Sequence, residues 1–151
     1  MSIKRSTAEA DDLTSTPETL TRKQVQEAIR KRVSLVEADM RGADLSGLTF
    51  DNLDLRWAKL AEANLSGASF RGAHLDRASL WNANLQNAVL DLATLEGTDF
   101  DFATMDGVTL KGARFKKALF PLARVTLAAV QDSVRNGTPL KMEATGVEDD
   151  E

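Results

Sequence analysis

The strongest constraint on this chain is an apolar residue that returns every five positions. From Leu35 to Val130, each multiple of five is Leu, Phe, Met or Val. Two residues before each stands a small or apolar residue, and in 15 of 20 cases it is Ala. The exceptions are Val33, Leu48, Leu53, Thr98 and Val108. An α-helix cannot use this period, because every fifth side chain steps about 140° around the axis. A flat strand cannot use it either, because the fifth residue points to the opposite face. A chain that turns a corner after every pentad satisfies both limits. Four such sides close a square coil of twenty residues, with each central Leu or Phe pointing inward.

The pentads include ADMRG (38–42), ADLSG (43–47), ANLSG (63–67), ASFRG (68–72), AHLDR (73–77) and ANLQN (83–87). They resemble the pentapeptide-repeat family, whose pattern is A-(D/N)-L-x-x. The resemblance covers roughly two thirds of the chain without an insertion. It implies an all-β fold, a right-handed quadrilateral parallel β-helix (a β-solenoid) of about five coils. Stacked coils bring residue n over n+20, which places Phe50 over Phe70 and Phe100 over Phe120. Seven of the nine glycines fall two residues after the central apolar residue, at the corner, where positive φ costs Gly least.

Helices are expected at both ends. Thr21 has Gln24 three residues on, a capping box, and Val25, Ala28 and Ile29 make one apolar stripe. At the other end Pro121 interrupts the pattern and Thr126 caps a helix with Leu127, Val130 and Val134 on one stripe, ended by Asn136-Gly137. The expected organisation is a disordered segment over 1–19, a capping helix over 20–32, the repeat rod over 33–125, a second capping helix over 126–137, and a disordered acidic tail over 138–151. Val125 and Val130 fit either the coil or the helix.

With no cysteine, disulfide and thiolate chemistry are excluded. Neither a signal peptide nor a membrane-length apolar window is present, so the expectation is a cytoplasmic protein with no membrane partner, and export by a signal-independent system stays open. Residues 33–130 carry ten basic and twelve acidic side chains, a balance of −2 that argues against direct nucleic-acid binding.

Candidates for catalysis are few. His74 is the single histidine and its register turns it outward between Asp54 and Thr94. There is no phosphate-cradling loop and no nucleophile–base arrangement, so no enzyme activity, cofactor or metal is expected. An acidic belt of Asp91, Glu96, Asp99, Asp101 and Asp106 contains no base and is followed by Lys111, Arg114, Lys116, Lys117 and Arg124. A regular strand spreads such carboxylates rather than wrapping them around Ca²⁺. Pairing of Glu96 with Lys116 and of Asp91 with Lys111 between coils is the simplest use of these charges.

Outward apolar residues stand out more. Trp81, Phe102, Leu119, Leu122 and Trp57 occupy outward positions, as do Val89 and Leu92. Phe102 lies over Leu122, and Trp81 shares their side. Such a patch needs a cover, either residues 126–136 or another molecule, including a second copy in a homodimer.

These features point to a non-enzymatic scaffold or adaptor for a protein partner of unknown identity. The segment 20–48, a capped helix running into repeats, also resembles repeat regions associated with bacterial type VI secretion loci, which implies a secretion-linked adaptor. The alternative is a DNA mimic that binds DNA gyrase, because the coil pattern looks like that of the quinolone-resistance pentapeptide proteins. Those resemble rod-shaped dimers with strongly acidic surfaces and protruding loops. This chain has no interrupting loop and a nearly neutral rod.

Overall fold

The computed structural model describes residues 19–122 and 124–144. Two helices, α1 (Arg22–Arg30) and α2 (Leu127–Asn136), flank a coil held by isolated parallel bridges. Each bridge joins residues twenty apart, from Asp39 with Lys59 to Asp99 with Leu119. Four pentads therefore make one turn.

The pentad Ala63–Gly67 shows why this sequence closes such a turn. The Ala63 N–H donates to Leu60 O at 3.1 Å, closing a tight turn over Ala61 and Glu62. Glu62 has φ of 63°, the left-handed value that the third residue of a type II turn requires. The Asn64 N–H donates to Ala43 O in the coil before, at 2.9 Å. The Leu65 and Gly67 N–H groups donate to Asn84 O and Gln86 O in the coil after, at 2.7 and 2.8 Å. Only the Ser66 N–H points at neither coil, and the Asn64 side-chain oxygen takes it at 3.1 Å. The Asp or Asn before each central residue is thus an acceptor for the one otherwise orphaned donor. Asp44, Asp54 and Asp99 do the same for Ser46, Arg56 and Asp101. At Ser69, Thr94 and Thr109 a carboxylate from the coil before substitutes, and at Ser34 the hydroxyl oxygen itself accepts from Val36 N–H. Asp51 accepts from Arg71 N–H, Asp76 from Glu96 N–H, and Asp91 from Lys111 N–H.

Inside the coil, every central residue from Leu35 to Leu110 is fully buried. Phe50 and Phe70 stack at 4.8 Å between centroids, and Phe100 and Phe120 at 5.2 Å. The buried Thr98 hydroxyl donates to Leu75 O at 2.8 Å, so the polar exception among the small positions is satisfied. Gly107, at φ of 80°, lies where a Cβ would overlap Asn87 Oδ1 of the coil before.

Both ends of the rod are covered. Thr21 and Gln24 form the capping box of α1, which buries Val25 and Ala28. Leu20 N–H bonds Asp39 O, and the Arg22 guanidinium bonds Asp44 O, which ties the helix to the first coil. At the far end Thr126 caps α2 and Gly137 ends it in the left-handed region. Along 105–112 the coil has no successor, so its N–H groups need other acceptors. Leu110 N–H finds the buried Ser133 Oγ, Gly112 N–H finds Val134 O, Gly107 N–H finds Leu140 O, and Met105 N–H finds the Met142 sulfur.

That last arrangement revises the expectation of a disordered tail over 138–151. Leu140 and Met142 are buried, and residues 138–144 form part of the end cover. The remainder of that expectation, and almost all of the one for 1–19, falls outside the described residues. Val125 and Val130 are buried as parts of the cover, because the bridges stop at Leu119. Leu127 does not join Val130 and Val134 against the rod. It is exposed, because the α2 stripe facing the coil is set by Val130, Ser133 and Val134.

Two outcomes test this account. Leu65→Asp puts an unpaired carboxylate at the centre of a coil and should abolish the cooperative thermal transition, whereas Glu62→Gln at an exposed corner should leave it within about 0.5 kcal/mol. Similar losses for both would contradict the register.

The second test concerns acid. Bidentate bonds from Arg41 and Arg56 hold the Asp39 and Asp54 carboxyls below the usual carboxylate range. A carboxyl whose folded pKa is depressed adds stability above its unfolded pKa, near 4, and loses it as pH falls through the lower folded value. The melting difference between wild type and Asp54→Asn should therefore shrink from pH 6 to pH 2. A difference independent of pH would mean that the ion pair contributes nothing.

Candidate protein-binding corner

One corner of the rod is formed by Ala61 and Glu62, Trp81 and Asn82, Asp101 and Phe102, and Pro121 and Leu122 in successive coils. Trp81 and Phe102 meet there edge to face, 5.9 Å between centroids at 66°. Both are exposed, Trp81 at 40% and Phe102 at 68%. Leu122 follows Phe102 in register and is also exposed. On the adjoining face the exposed Leu119 bridges to Asp99. The structure thus brings Trp81, Phe102, Leu122 and Leu119 to one side of the rod.

Trp57 sits one corner away, across that face, with the Arg77 guanidinium 5.6 Å from its ring centroid. Leu92 is exposed on a third corner and Val89 is half-buried, so neither belongs to the patch. Helix α2 and residues 137–143 bond to 105–112, on other sides of the coil. The idea that residues 126–136 cover the aromatic patch is therefore incorrect, since the end of the coil, with its unpaired donors, claims that helix. The exposed Leu127 escaped the sequence reading, because periodicity alone assigned it to the buried stripe.

Backbone geometry adds a second observation. Phe102 has φ of 61° and Trp57 of 65°, both in the left-handed region that disfavours bulky side chains. Seven glycines occupy equivalent corners. Ten non-glycine corner residues share that φ, Leu92 at 64° among them, so the left-handed value belongs to the corner and the aromatics are distinguished by their exposure.

The acidic belt does not gather on one face. Asp91, Glu96, Asp101 and Asp106 stand on four different corners, with Asp99 on a face between two of them. Asp91 lies 3.5 Å from Arg71 and accepts the Lys111 backbone N–H, so it engages Lys111 through the backbone rather than the ammonium expected from sequence. Asp106 accepts the Met142 N–H of the end cover. Among the described residues no group of three His, Cys, Asp or Glu could hold a metal ion. Exposed His74 has Nδ1 3.2 Å from Thr94 Oγ1, which donates to Asp76. No helix among the described residues is long and apolar enough to cross a membrane.

The coil, its twenty-residue register and its outward side chains define a repeat rod, and comparison with known proteins agrees. The family model for pentapeptide repeats matches in eight copies, over residues 31–60, 54–91, 73–112 and 84–120. The chain belongs to the pentapeptide repeat family, and its coil is the right-handed β-helix of that family.

Among solved structures it is similar to a pentapeptide repeat protein of the Arabidopsis thaliana thylakoid lumen, at 38% identity and a TM-score of 0.51. That match covers 52% of this chain and 54% of the other, so the chain spans about half the length of this relative. It is also similar to a pentapeptide repeat protein from Nostoc PCC 7120, at 25% identity, 68% and 98% coverage and a TM-score of 0.58. A plasmid-mediated fluoroquinolone resistance protein matches at 22% identity, 57% and 46% coverage and a TM-score of 0.50, a likeness of fold alone. No curated protein matches the sequence.

If Phe102 is held for a reason other than folding, Phe102→Gly should not lower the melting temperature. Relief of left-handed strain, about 1–2 kcal/mol, offsets the roughly 0.5–1 kcal/mol entropic cost of Gly. A drop of several degrees would show that its packing against Trp81 supports the fold.

Proposed function

We propose that this protein is a rigid, non-enzymatic protein-binding scaffold whose partner docks on the corner of Trp81, Phe102 and Leu122, with Leu119 and Trp57 at its margins. One observation carries the proposal. The core is complete without these residues, yet an aromatic pair stands in water at one corner, its two rings packed edge to face. Aromatic anchors dominate binding energy at interfaces. A rod whose backbone donors are satisfied coil by coil loses little entropy on binding.

The gyrase-binding alternative has less support. It needs a concentrated acidic face, and the acids here are dispersed around the rod, with Asp91, Asp99 and Asp106 serving backbone donors. The type VI adaptor reading rests on the helix that runs into the repeats, and the end-cover role of α1 already accounts for that arrangement.

Quantitative affinity capture from a cell extract tests the proposal. Trp81→Ala with Phe102→Ser should reduce capture at least tenfold with an unchanged melt, in line with anchor losses of about 2 kcal/mol or more. Leu92→Ser, an equally exposed residue on another corner, should bind like wild type. Equal loss in both, or none in the first, would remove this corner as the site. Sedimentation of the same variants shows whether the partner is a second copy.

A further inference from the structure

The chemistry of the partner follows from the charges that border the aromatic pair, on the premise that this corner is the docking site. Glu62 precedes Trp81 by one coil, its N–H donating to Trp81 O at 2.8 Å, and its side chain is exposed. Asp101 adjoins Phe102 and is exposed, and Asp99 lies on the face beside it. None of these three carboxylates takes part in an ion pair among the described residues.

The cations on the same side are placed differently. Arg41 is bound bidentately by Asp39, and Lys59 bridges to Asp39 through the backbone, close enough to help hold its carboxyl low. Lys117 stands on the neighbouring corner, beyond Leu119. The corner therefore presents two adjacent aromatic rings bordered by three carboxylates that lack a cation among the described residues.

We infer that this corner binds a cationic amphipathic peptide segment of a protein partner, with an apolar side chain against Trp81 and Phe102 and Lys or Arg against Glu62, Asp99 and Asp101. The rod already uses half of this chemistry on itself, because Arg77 lies over the Trp57 ring, and among the described residues no such cation lies over Trp81. Carboxylates beside an apolar anchor attract a basic segment and repel an acidic one, which sets partner choice more than affinity. Nucleic acid is disfavoured by the same charges.

A fluorescence-anisotropy titration tests this with three probes: a short fluorescein-labelled peptide of alternating Leu and Lys, its Leu/Glu counterpart, and a labelled DNA duplex. Wild type should bind the Leu/Lys peptide and neither of the others. The variant Glu62→Gln, Asp99→Asn, Asp101→Asn should bind it about tenfold more weakly, since each exposed charge adds a modest factor. The Asp99→Asn change keeps a side-chain oxygen as acceptor for the backbone N–H of residue 101, so the fold should be undisturbed. Trp81→Ala with Phe102→Ser should abolish binding. Unchanged melts exclude misfolding.

Failure to bind the Leu/Lys peptide, equal binding of the Leu/Glu peptide or the duplex, or full affinity in the neutralised variant would each overturn the charge assignment. If the aromatic variant alone still loses affinity, the docking corner survives that result. If it binds like wild type, both the corner and its charge preference fall.

Discussion

Everything in this rod depends on the disposal of one backbone N–H in five. When a chain turns a corner after every pentad, stacking on the coils before and after satisfies three donors, and the turn itself satisfies a fourth. The donor just after the central apolar residue faces neither neighbour. Wherever Asp or Asn stands two residues earlier, its side chain takes that donor, and at three Ser or Thr pentads an Asp in the coil before does so. The pattern A-(D/N)-L-x-x is thus a hydrogen-bond requirement as much as a packing one. Ala keeps the corner narrow, Asp or Asn takes the stray donor, and Leu fills the interior.

The same accounting explains the ends. A coil without a successor leaves its donors exposed, and an open end invites pairing with another chain. The sides at 105–112 are closed by Ser133 Oγ, Val134 O, Leu140 O and the Met142 sulfur, drawn from a helix and a short extended segment. That requirement fixes where α2 lies. With α2 committed to the end, the aromatic corner on another side of the rod is left to solvent. The exposed patch is a consequence of end closure taking priority over covering apolar surface, since unpaired buried donors cost more than a few exposed side chains.

A rigid coil also decides what kind of function is available. Its residues form regular columns, which spreads charged groups around the perimeter and gathers no catalytic constellation. The acids from Asp91 to Asp106 are adjacent in sequence and dispersed in space for this reason. Side chains separated by about twenty residues come together instead, as Trp81 does with Phe102 and Arg77 with Trp57. Recognition on such a surface works through columns and corners.

The sequence alone determined the register, because a strict five-residue period admits few backbones and each inward residue from Leu35 to Leu110 follows from it. It also determined the aromatic stacks, since Phe50 with Phe70 and Phe100 with Phe120 are a fixed twenty apart. The caps of both helices were legible because Thr21, Gln24, Thr126 and Gly137 act through local hydrogen bonds and backbone preference. Only the tertiary structure decided where the chain leaves the coil, which side α2 covers, that Leu140 and Met142 are buried, and that Leu127 is not. Those outcomes depend on which donors are orphaned at the last coil, a property of three-dimensional closure that no periodicity encodes. It likewise decided that Asp91 serves a backbone N–H rather than an ammonium, because at a corner the nearest unsatisfied donor is the main chain.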